Sequence, residues 1–246
     1  MKISKKIQRV LGTITLVLLL TSVGIASFFS EKRWENEALE SVNINIEYPD
    51  NQELVVELEV QKVISSFFEA EEDSNALSVN AFLLETDLKA LPYVADAQVY
   101  WNMQQTLEVQ LTAKQVKAQW IGPAGTALLT KENEVLSKPK RTSLDLPVIT
   151  GVADSTEAAM AGVWLERITK GPAFELGSVA QLDMREDAVA IVPKGYNHVV
   201  LANKDERLEE DMKKLAAYYG TLSEEELAEL KRIDLRYKNQ VVTTTR

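Results

Sequence analysis

Apolar residues in 42–113 recur with two periodicities, that of strands and that of helices, which together predict a small α+β unit. Apolar residues recur at every second position in 42–48, 95–101 and 107–113, the period of half-buried strands. Apolar residues at helical spacing predict two helices between these strands, marked by Val60, Val63, Ile64, Phe67 and Phe68 and by Phe82, Leu84, Leu88 and Leu91. The polar stretch 69–75 is expected to form a loop between them. The order strand, helix, helix, strand, strand is that of a compact α+β unit.

Residues 115–246 predict a β-rich region with flanking helices. Short strands are expected at 127–130, 134–136, 146–151, 178–184, 188–193 and 198–202. Three helices are predicted from capping pairs, Asp154 with Glu157, Asn203 with Glu206, and Ser223 with Glu226. Gly220 is expected to lie at the C-cap of the second of these helices.

The C-terminal stretch KRIDLRYKNQVVTTTR (231–246) predicts a last pair of strands around Lys238 and Asn239. By period two, one face should carry Ile233, Leu235 and Tyr237, and the other face Asp234 and Arg236. Such a pair of strands is either the interior end of a sheet or an exposed edge to which a partner strand adds.

The N-terminus predicts a membrane span. Residues 10–29 contain no charged residue and are long enough as a helix to cross the hydrocarbon core of a bilayer. Four cations precede this run, and the positive-inside rule places that end in the cytoplasm. We expect a cytoplasmic tail (1–9), a transmembrane helix (10–29) and a linker (30–41). A cleaved signal peptide is the alternative, since Gly24 and Ala26 offer small residues at cleavage-site spacing.

Charge and composition exclude several classes of partner and site. The net charge is −10, and residues 1–33 contribute +5 (six basic residues against Glu31), so the remainder carries −15. A body this acidic repels phosphate backbones, and we expect no nucleic-acid partner. The chain has no cysteine, which excludes disulfides and cysteine-ligated metals.

Candidate catalytic chemistry is sparse. The single histidine, His198, lies among valines in a predicted strand, and no nucleophile-elbow, P-loop or dinucleotide motif occurs. We therefore expect no catalytic residues, cofactor, metal or small-molecule substrate. The acidic clusters at 69–73, 205–211 and 224–229, together with Trp101 and Trp120, leave one alternative of another class, a membrane-anchored cell-wall hydrolase or glycan-binding protein.

Three groups of residues carry a resemblance to a known family. These are LPYVADAQV (91–99) with LEV (107–109), LPVITG (146–151) and IDLRY (233–237), in this order behind an apolar N-terminal segment. The pattern resembles the bacterial cell-division proteins FtsQ and DivIB over essentially the whole chain. The ending YKNQVV is most similar to the short members from Bacteroidota.

The resemblance implies an architecture and a role. It implies a POTRA domain (42–114), a β domain (115–246) outside the inner membrane at the division septum, and no catalysis. It further implies a scaffold that binds FtsB-like and FtsL-like divisome proteins and supports septal peptidoglycan synthesis. In this family FtsB adds a strand to the end of the β domain, which implies partner contacts at Arg236, Tyr237, Asn239, Val241 and Val242.

Overall fold

The computed structural model describes residues 19, 21–22, 41–70, 80–104, 106–139 and 144–246. The predicted cytoplasmic tail (1–9), most of the predicted span (10–29) and the predicted linker up to residue 40 lie outside these residues. Within the described ranges, no helix has both the length and the apolar character needed to cross a membrane. The chain divides into two compact units, Met1–Glu47 with Val55–Thr112 and Tyr48–Leu54 with Ala113–Arg246.

The first unit has the predicted order of strands and helices. Its elements are β1 (Ser41–Glu47), α1 (Glu57–Ala70), α2 (Ala81–Lys89), β2 (Val94–Trp101) and β3 (Thr106–Ala113). The sheet order is β1-β3-β2. β1 is parallel to β3, and β2 lies on the other side of β3 as its hairpin partner. The strand, helix, helix, strand, strand prediction is thus confirmed in the residues that the structure describes.

The core of the first unit is built from one face of each element. Val60, Leu84 and Leu88 from the helices and Leu107 and Val109 from β3 are all buried. Asn80 caps α2, because its side chain accepts a hydrogen bond from the Leu83 amide. Phe82, one of the apolar positions that marked this helix in the sequence, is exposed, since the covered side of the short helix is that of Leu84 and Leu88.

In its described residues (48–54, 113–139 and 144–246), the second unit contains one nine-stranded sheet with three α-helices. The strands are β4 (Val116–Gly122), β5 (Gly125–Thr130), β6 (Val135–Ser137), β7 (Val148–Thr150), β8 (Val179–Met184), β9 (Ala188–Pro193), β10 (Val199–Asn203), β11 (Leu230–Asp234) and β12 (Val242–Thr245). The helices are α3 (Ser155–Thr169), α4 (Leu208–Tyr219) and α5 (Glu224–Glu229). The sheet order is β12-β11-β10-β9-β8-β7-β4-β5-β6. The combination of a large sheet with helices confirms the α+β fold class.

The segment 48–54 belongs to the second unit although it follows β1. The Gln52 side chain donates to the Val116 carbonyl at 2.9 Å and accepts from the Val116 amide at 2.8 Å. Asp50 accepts hydrogen bonds from Gln115 and Lys131. These pairings join 48–54 to the start of β4, a pairing that the local sequence pattern does not reveal.

Parallel pairing between β10 and β11 determines the end of the sheet. Parallel neighbours need a crossover, and α4 and α5 provide it between these two strands. The helices bury their apolar faces in the core, including Leu208, Met212, Leu215 and Leu227. β12 then returns antiparallel to β11 and occupies one edge of the sheet.

Local capping chemistry was predicted correctly at two helices and wrongly at one. Asp154 caps α3, and Ser223 with Glu226 forms a reciprocal capping box at α5. The predicted Asn203 cap is wrong, because Asn203 ends β10 and binds the Asp211 carboxylate instead. α4 therefore begins later, at Leu208, although Gly220 does lie at its C-cap. The strand β4 was not predicted at its full length.

A buried lysine joins α3 to β4. Lys117 is 3% exposed, and its ammonium pairs with the Glu166 carboxylate and donates to the Asn133 side-chain oxygen and the Lys131 carbonyl. The hydrogen bond from Lys117 to Glu166 holds the pKa of Glu166 below its usual value, because Lys117 stabilises the carboxylate form. Gly162 lies directly above this network in α3, where an added methyl group has no room.

We predict that Gly162→Ala destabilises the second unit. The new Cβ would overlap the Asn133 side-chain oxygen and a Leu129 methyl group, and such overpacking costs about 2 kcal/mol of unfolding free energy. Gly220→Ala is the matched control, because the atoms nearest to a new Cβ there, the Ala217 and Ala216 carbonyl oxygens, lie at an ordinary 3.5 Å and 3.6 Å. Chemical denaturation should show a clear loss for the first variant and a change within about 0.5 kcal/mol for the second. Equal stability of both variants would contradict the packing around Gly162.

We further predict that Glu166 contributes to the unfolding free energy and that this contribution is lost in acid. Its folded-state pKa is depressed below 4.5, so its pairing with Lys117 stabilises the fold above that pH and is lost as the pH falls through the folded-state value. The unfolding free-energy difference between wild type and Glu166→Gln should therefore be largest near pH 6 and shrink below about pH 4. In a Lys117→Met background the same substitution should have little pH-dependent effect. A pH-independent difference would contradict the assignment.

Candidate protein-binding edge

β12 forms an exposed edge of the nine-stranded sheet. Its register pairs Asp234 with Val242, Ile233 with Thr243 and Arg232 with Thr244, so one side of the strand is hydrogen-bonded to β11. All four residues of β12 are exposed, and among the described residues the sheet order gives β12 no strand neighbour on its outer side. An edge of this kind presents backbone N–H and C=O groups to another chain.

The IDLRY motif contains an ion pair in which the carboxylate is buried and the guanidinium is exposed. Asp234 is 3% exposed, and its carboxylate accepts from Arg236 Nε at 2.9 Å, from Arg236 Nη2 at 2.7 Å and from the Arg236 amide at 3.2 Å. The Arg236 hydrogen bonds hold the pKa of Asp234 below its usual value and raise that of the guanidinium. The hydrogen bonds between Asp234 and Arg236, two residues apart, hold the backbone where it leaves β11.

Residues 235–241, which we call the terminal connection, link β11 to β12. Leu235 is buried, and its amide still donates to the Leu201 carbonyl at 2.8 Å, so the connection starts against β10. Asn239 has a φ of 55°, a left-handed conformation that asparagine tolerates better than most residues. The Gln240 amide approaches the Tyr237 carbonyl at 3.4 Å and closes the turn. The connection thus has a defined turn geometry.

The structure gives the five predicted contact residues different surroundings. Tyr237 and Val242 are exposed, at 52% and 39%, while Val241 is partly buried against the core of the second unit. Arg236 is engaged by Asp234, and Asn239 forms the turn. Their role in partner binding stays a prediction, with Tyr237 and Val242 the two apolar side chains that are available to a partner.

The predicted alternation of faces in 233–237 is wrong beyond Ile233. Ile233, Asp234 and Leu235 are all buried, whereas Tyr237 is exposed. β11 ends at Asp234, so the strand period does not continue into the connection. Asp234 can be buried next to two apolar neighbours because Arg236 satisfies its carboxylate.

A surface groove of about 360 Å³ lies between α4 and the terminal connection. Its lining includes Ala217, Tyr218 and Thr221 from the end of α4 and Asn239 and Val241 from the connection. The groove adjoins the start of β12, so a strand added at this edge would have a concave surface beside it.

Two residues that organise this region, Lys214 and Asp211, were not predicted from the sequence. Lys214 of α4 donates to the Leu235 carbonyl at 2.7 Å and to the Tyr237 carbonyl at 3.2 Å. Its ammonium also pairs at 2.8 Å with Asp211, which is buried. The spacing of an aspartate and a lysine three residues apart was visible in the sequence, but such pairs are common on exposed helix faces. Nothing in the local pattern indicates acceptors on a distant segment.

The remaining chemical candidates occupy structural positions. His198 is buried, and its Nε2 lies 2.7 Å from the Tyr219 hydroxyl. Burial lowers the pKa of this imidazole and raises that of the Tyr219 phenol. Trp120 is buried in the core, and Trp101 is partly exposed. Within the described ranges, no three His, Asp or Glu side chains are grouped closely enough to hold a metal ion.

Comparisons with known proteins agree with the motifs found in the sequence. The family model described as FtsQ/DivIB, C-terminal related, matches residues 121–244, which is 124 of the 246 residues. The cell division protein FtsQ of Coxiella burnetii is 25% identical over 163 residues, covering 66% of this chain. That alignment covers 65% of the relative, so the chain spans slightly less than two thirds of its length.

A solved structure was also found. It is the major extracytoplasmic domain of the trans isomer of the cell division protein DivIB from Geobacillus stearothermophilus, with 19% identity and a TM-score of 0.32. The superposition covers 44% of this chain and 89% of that domain. The family match includes β5 to β11 and most of β12, and therefore the whole IDLRY motif and terminal connection. On this match, the chain belongs to the FtsQ/DivIB family of bacterial cell-division proteins.

Proposed function

We propose that this protein is a non-enzymatic scaffold of the cell-division machinery that binds FtsB-like and FtsL-like membrane proteins by strand addition. The observation that carries the proposal is the exposed β12 edge, which lies in the region matched by the family. Membership in a family of division scaffolds supports a role without catalysis. Septal peptidoglycan synthesis would be supported indirectly, through the proteins that the scaffold assembles.

Backbone pairing would supply much of the affinity at this edge. A partner strand aligned with β12 satisfies its unpaired backbone groups, and alternate side chains then determine the register. β12 is short and rich in threonine, a residue with high strand propensity that keeps the free edge polar. These features favour a strand partner over a flat apolar docking surface.

Side chains beside the edge would supply specificity. Tyr237 offers a large ring with a hydroxyl, and such residues often contribute strongly to interfaces. Val242 begins β12, and the groove beside α4 offers space for a partner side chain. Arg236 would contribute through its pairing with Asp234, which keeps Tyr237 and the connection in place, and Asn239 and Val241 through the shape of the turn.

The proposed membrane topology follows the sequence pattern. Residues 1–9 would lie in the cytoplasm, 10–29 would span the inner membrane once, and 30–41 would link the span to the extracytoplasmic body. The proposed POTRA domain covers 42–114 and the proposed β domain 115–246. The acidic charge of the body fits a surface that binds proteins rather than nucleic acids or anionic lipids.

We predict that Tyr237→Ala weakens capture of an FtsB-like partner by at least tenfold while the protein stays folded. Truncation of an interface tyrosine costs on the order of 2 kcal/mol, and Tyr237 packs too little against the core to affect folding strongly. Val242→Pro, which removes a backbone donor from the edge strand, should also abolish binding. The measurement is pull-down of the partner together with circular dichroism on the same variants.

Two control variants sharpen this experiment. Lys238→Ala removes an exposed charge from the connection and should change capture less than twofold. Tyr100→Ala removes a tyrosine of similar exposure (43%) in the first unit and should leave capture unchanged. A folded Tyr237→Ala variant that captures the partner normally would refute the contact at Tyr237. If both hairpin variants unfold, these strands act as interior structure.

We also predict that a fluorescent fusion of the full chain forms a band at midcell in dividing cells. A division scaffold must concentrate at the septum, whereas a general cell-wall hydrolase or glycan-binding protein need not. A version with residues 1–29 replaced by a cleavable signal peptide should lose retention at the membrane. Uniform envelope fluorescence of a functional fusion through the whole division cycle would contradict the scaffold role.

A further inference from the structure

We infer that Lys214 is a positioning residue for the β12 edge. It lies on α4 and reaches the terminal connection through its ammonium group. The inference deepens the proposed function and rests on it, since it concerns how the same edge is held for a partner.

The Lys214 ammonium has an acceptor for each of its three protons. These acceptors are the Leu235 carbonyl at 2.7 Å, the Tyr237 carbonyl at 3.2 Å and the Asp211 carboxylate at 2.8 Å. The lysine side chain is only 19% exposed, so these bonds form where water competes little. A charged donor makes stronger hydrogen bonds to carbonyl oxygens than a neutral one. The backbone at 235 and 237 is thus held from the side of α4.

Asp211 ties this contact to the sheet. Its other carboxylate oxygen accepts from the Asn203 amide at 3.0 Å and from the Asn203 side chain at 2.8 Å. Asn203 is the last residue of β10, the parallel neighbour of β11. The hydrogen bonds therefore run from β10 through Asp211 and Lys214 to the terminal connection. They bypass the short pairing between β11 and β12.

The Lys214 contacts act on a largely exposed part of the hairpin. In the part of the chain that the structure describes, the four residues of β12 are exposed and pair with β11, and Tyr237 is 52% exposed. Leu235 and Val241 anchor the two ends of the connection to the core, and Lys214 holds the backbone carbonyls of residues 235 and 237 between them. Loss of Lys214 would free those carbonyls, so the turn and the β12 register would relax while the core stays packed.

The test compares Lys214→Met, Lys214→Arg and wild type as full chains purified in detergent, by hydrogen–deuterium exchange. Methionine keeps much of the side-chain volume and removes the donors, whereas arginine keeps the charge and the donors. In Lys214→Met, we expect amides of 240–245 to exchange at least tenfold faster, with β8 and β9 unchanged. In Lys214→Arg, exchange at 240–245 should stay within about threefold of wild type. Lys213→Met, an exposed lysine of the same helix, is the matched control and should match wild type.

A parallel pull-down with an FtsB-like protein separates this inference from the proposed function. Faster exchange at 240–245 together with at least fivefold weaker capture, both rescued by Lys214→Arg, supports positioning of the edge for a partner. Faster exchange with capture unchanged in both Lys214→Met and Tyr237→Ala supports positioning and overturns the partner site. Unchanged exchange at 240–245 in Lys214→Met, or an equal increase across β8, β9 and β12, overturns the positioning role.

Discussion

The parallel pairing of β10 with β11 is the constraint that determines where α4, α5 and the edge strand β12 lie. Two parallel neighbours cannot be joined by a tight turn, so the chain has to leave the sheet and return. α4 and α5 form that return path, and their apolar faces cover the sheet. Once β11 is placed in this way, β12 has only the outer side of β11 left to pair with, and it becomes the edge.

An exposed edge strand can pair with strands of other molecules and cause aggregation. β12 has features that limit such pairing. β12 has four residues, three of them threonine, and the body of the protein carries a strong negative charge. Short length, polarity and like-charge repulsion all disfavour self-association at an edge. A partner that binds there therefore needs additional contacts beside the strand. Tyr237 and the groove along α4 offer such contacts next to the start of β12.

Charged groups shape the link between β11 and β12, together with the packing of Leu235 and Val241 against the core. Asp234 engages the Arg236 side chain, and Lys214 engages the backbone carbonyls on either side of Arg236. The two contacts approach the same short segment from different elements. The connection is consequently well defined although most of its residues are exposed, which is the condition under which strand addition costs little ordering entropy.

The sequence alone determined the local elements and the family. Alternation identified β2 and β3, helical spacing identified α1 and α2, and capping pairs located the starts of α3 and α5, because these signals arise between residues close along the chain. The motifs at 91–99, 146–151 and 233–237 indicated the FtsQ/DivIB family.

Only the tertiary structure decided which residues share a surface. Asn203 looked like a helix cap, but β10 holds it in the sheet and Asp211 takes its hydrogen bonds. Asp234 was predicted on the face opposite Ile233, but both side chains are buried, because the strand ends there and Arg236 satisfies the Asp234 carboxylate. The contacts of Lys214 with residues 235 and 237 join a helix to a segment beyond the next strand. Such partners depend on strand pairing between distant parts of the chain, which local periodicity and capping preferences do not encode.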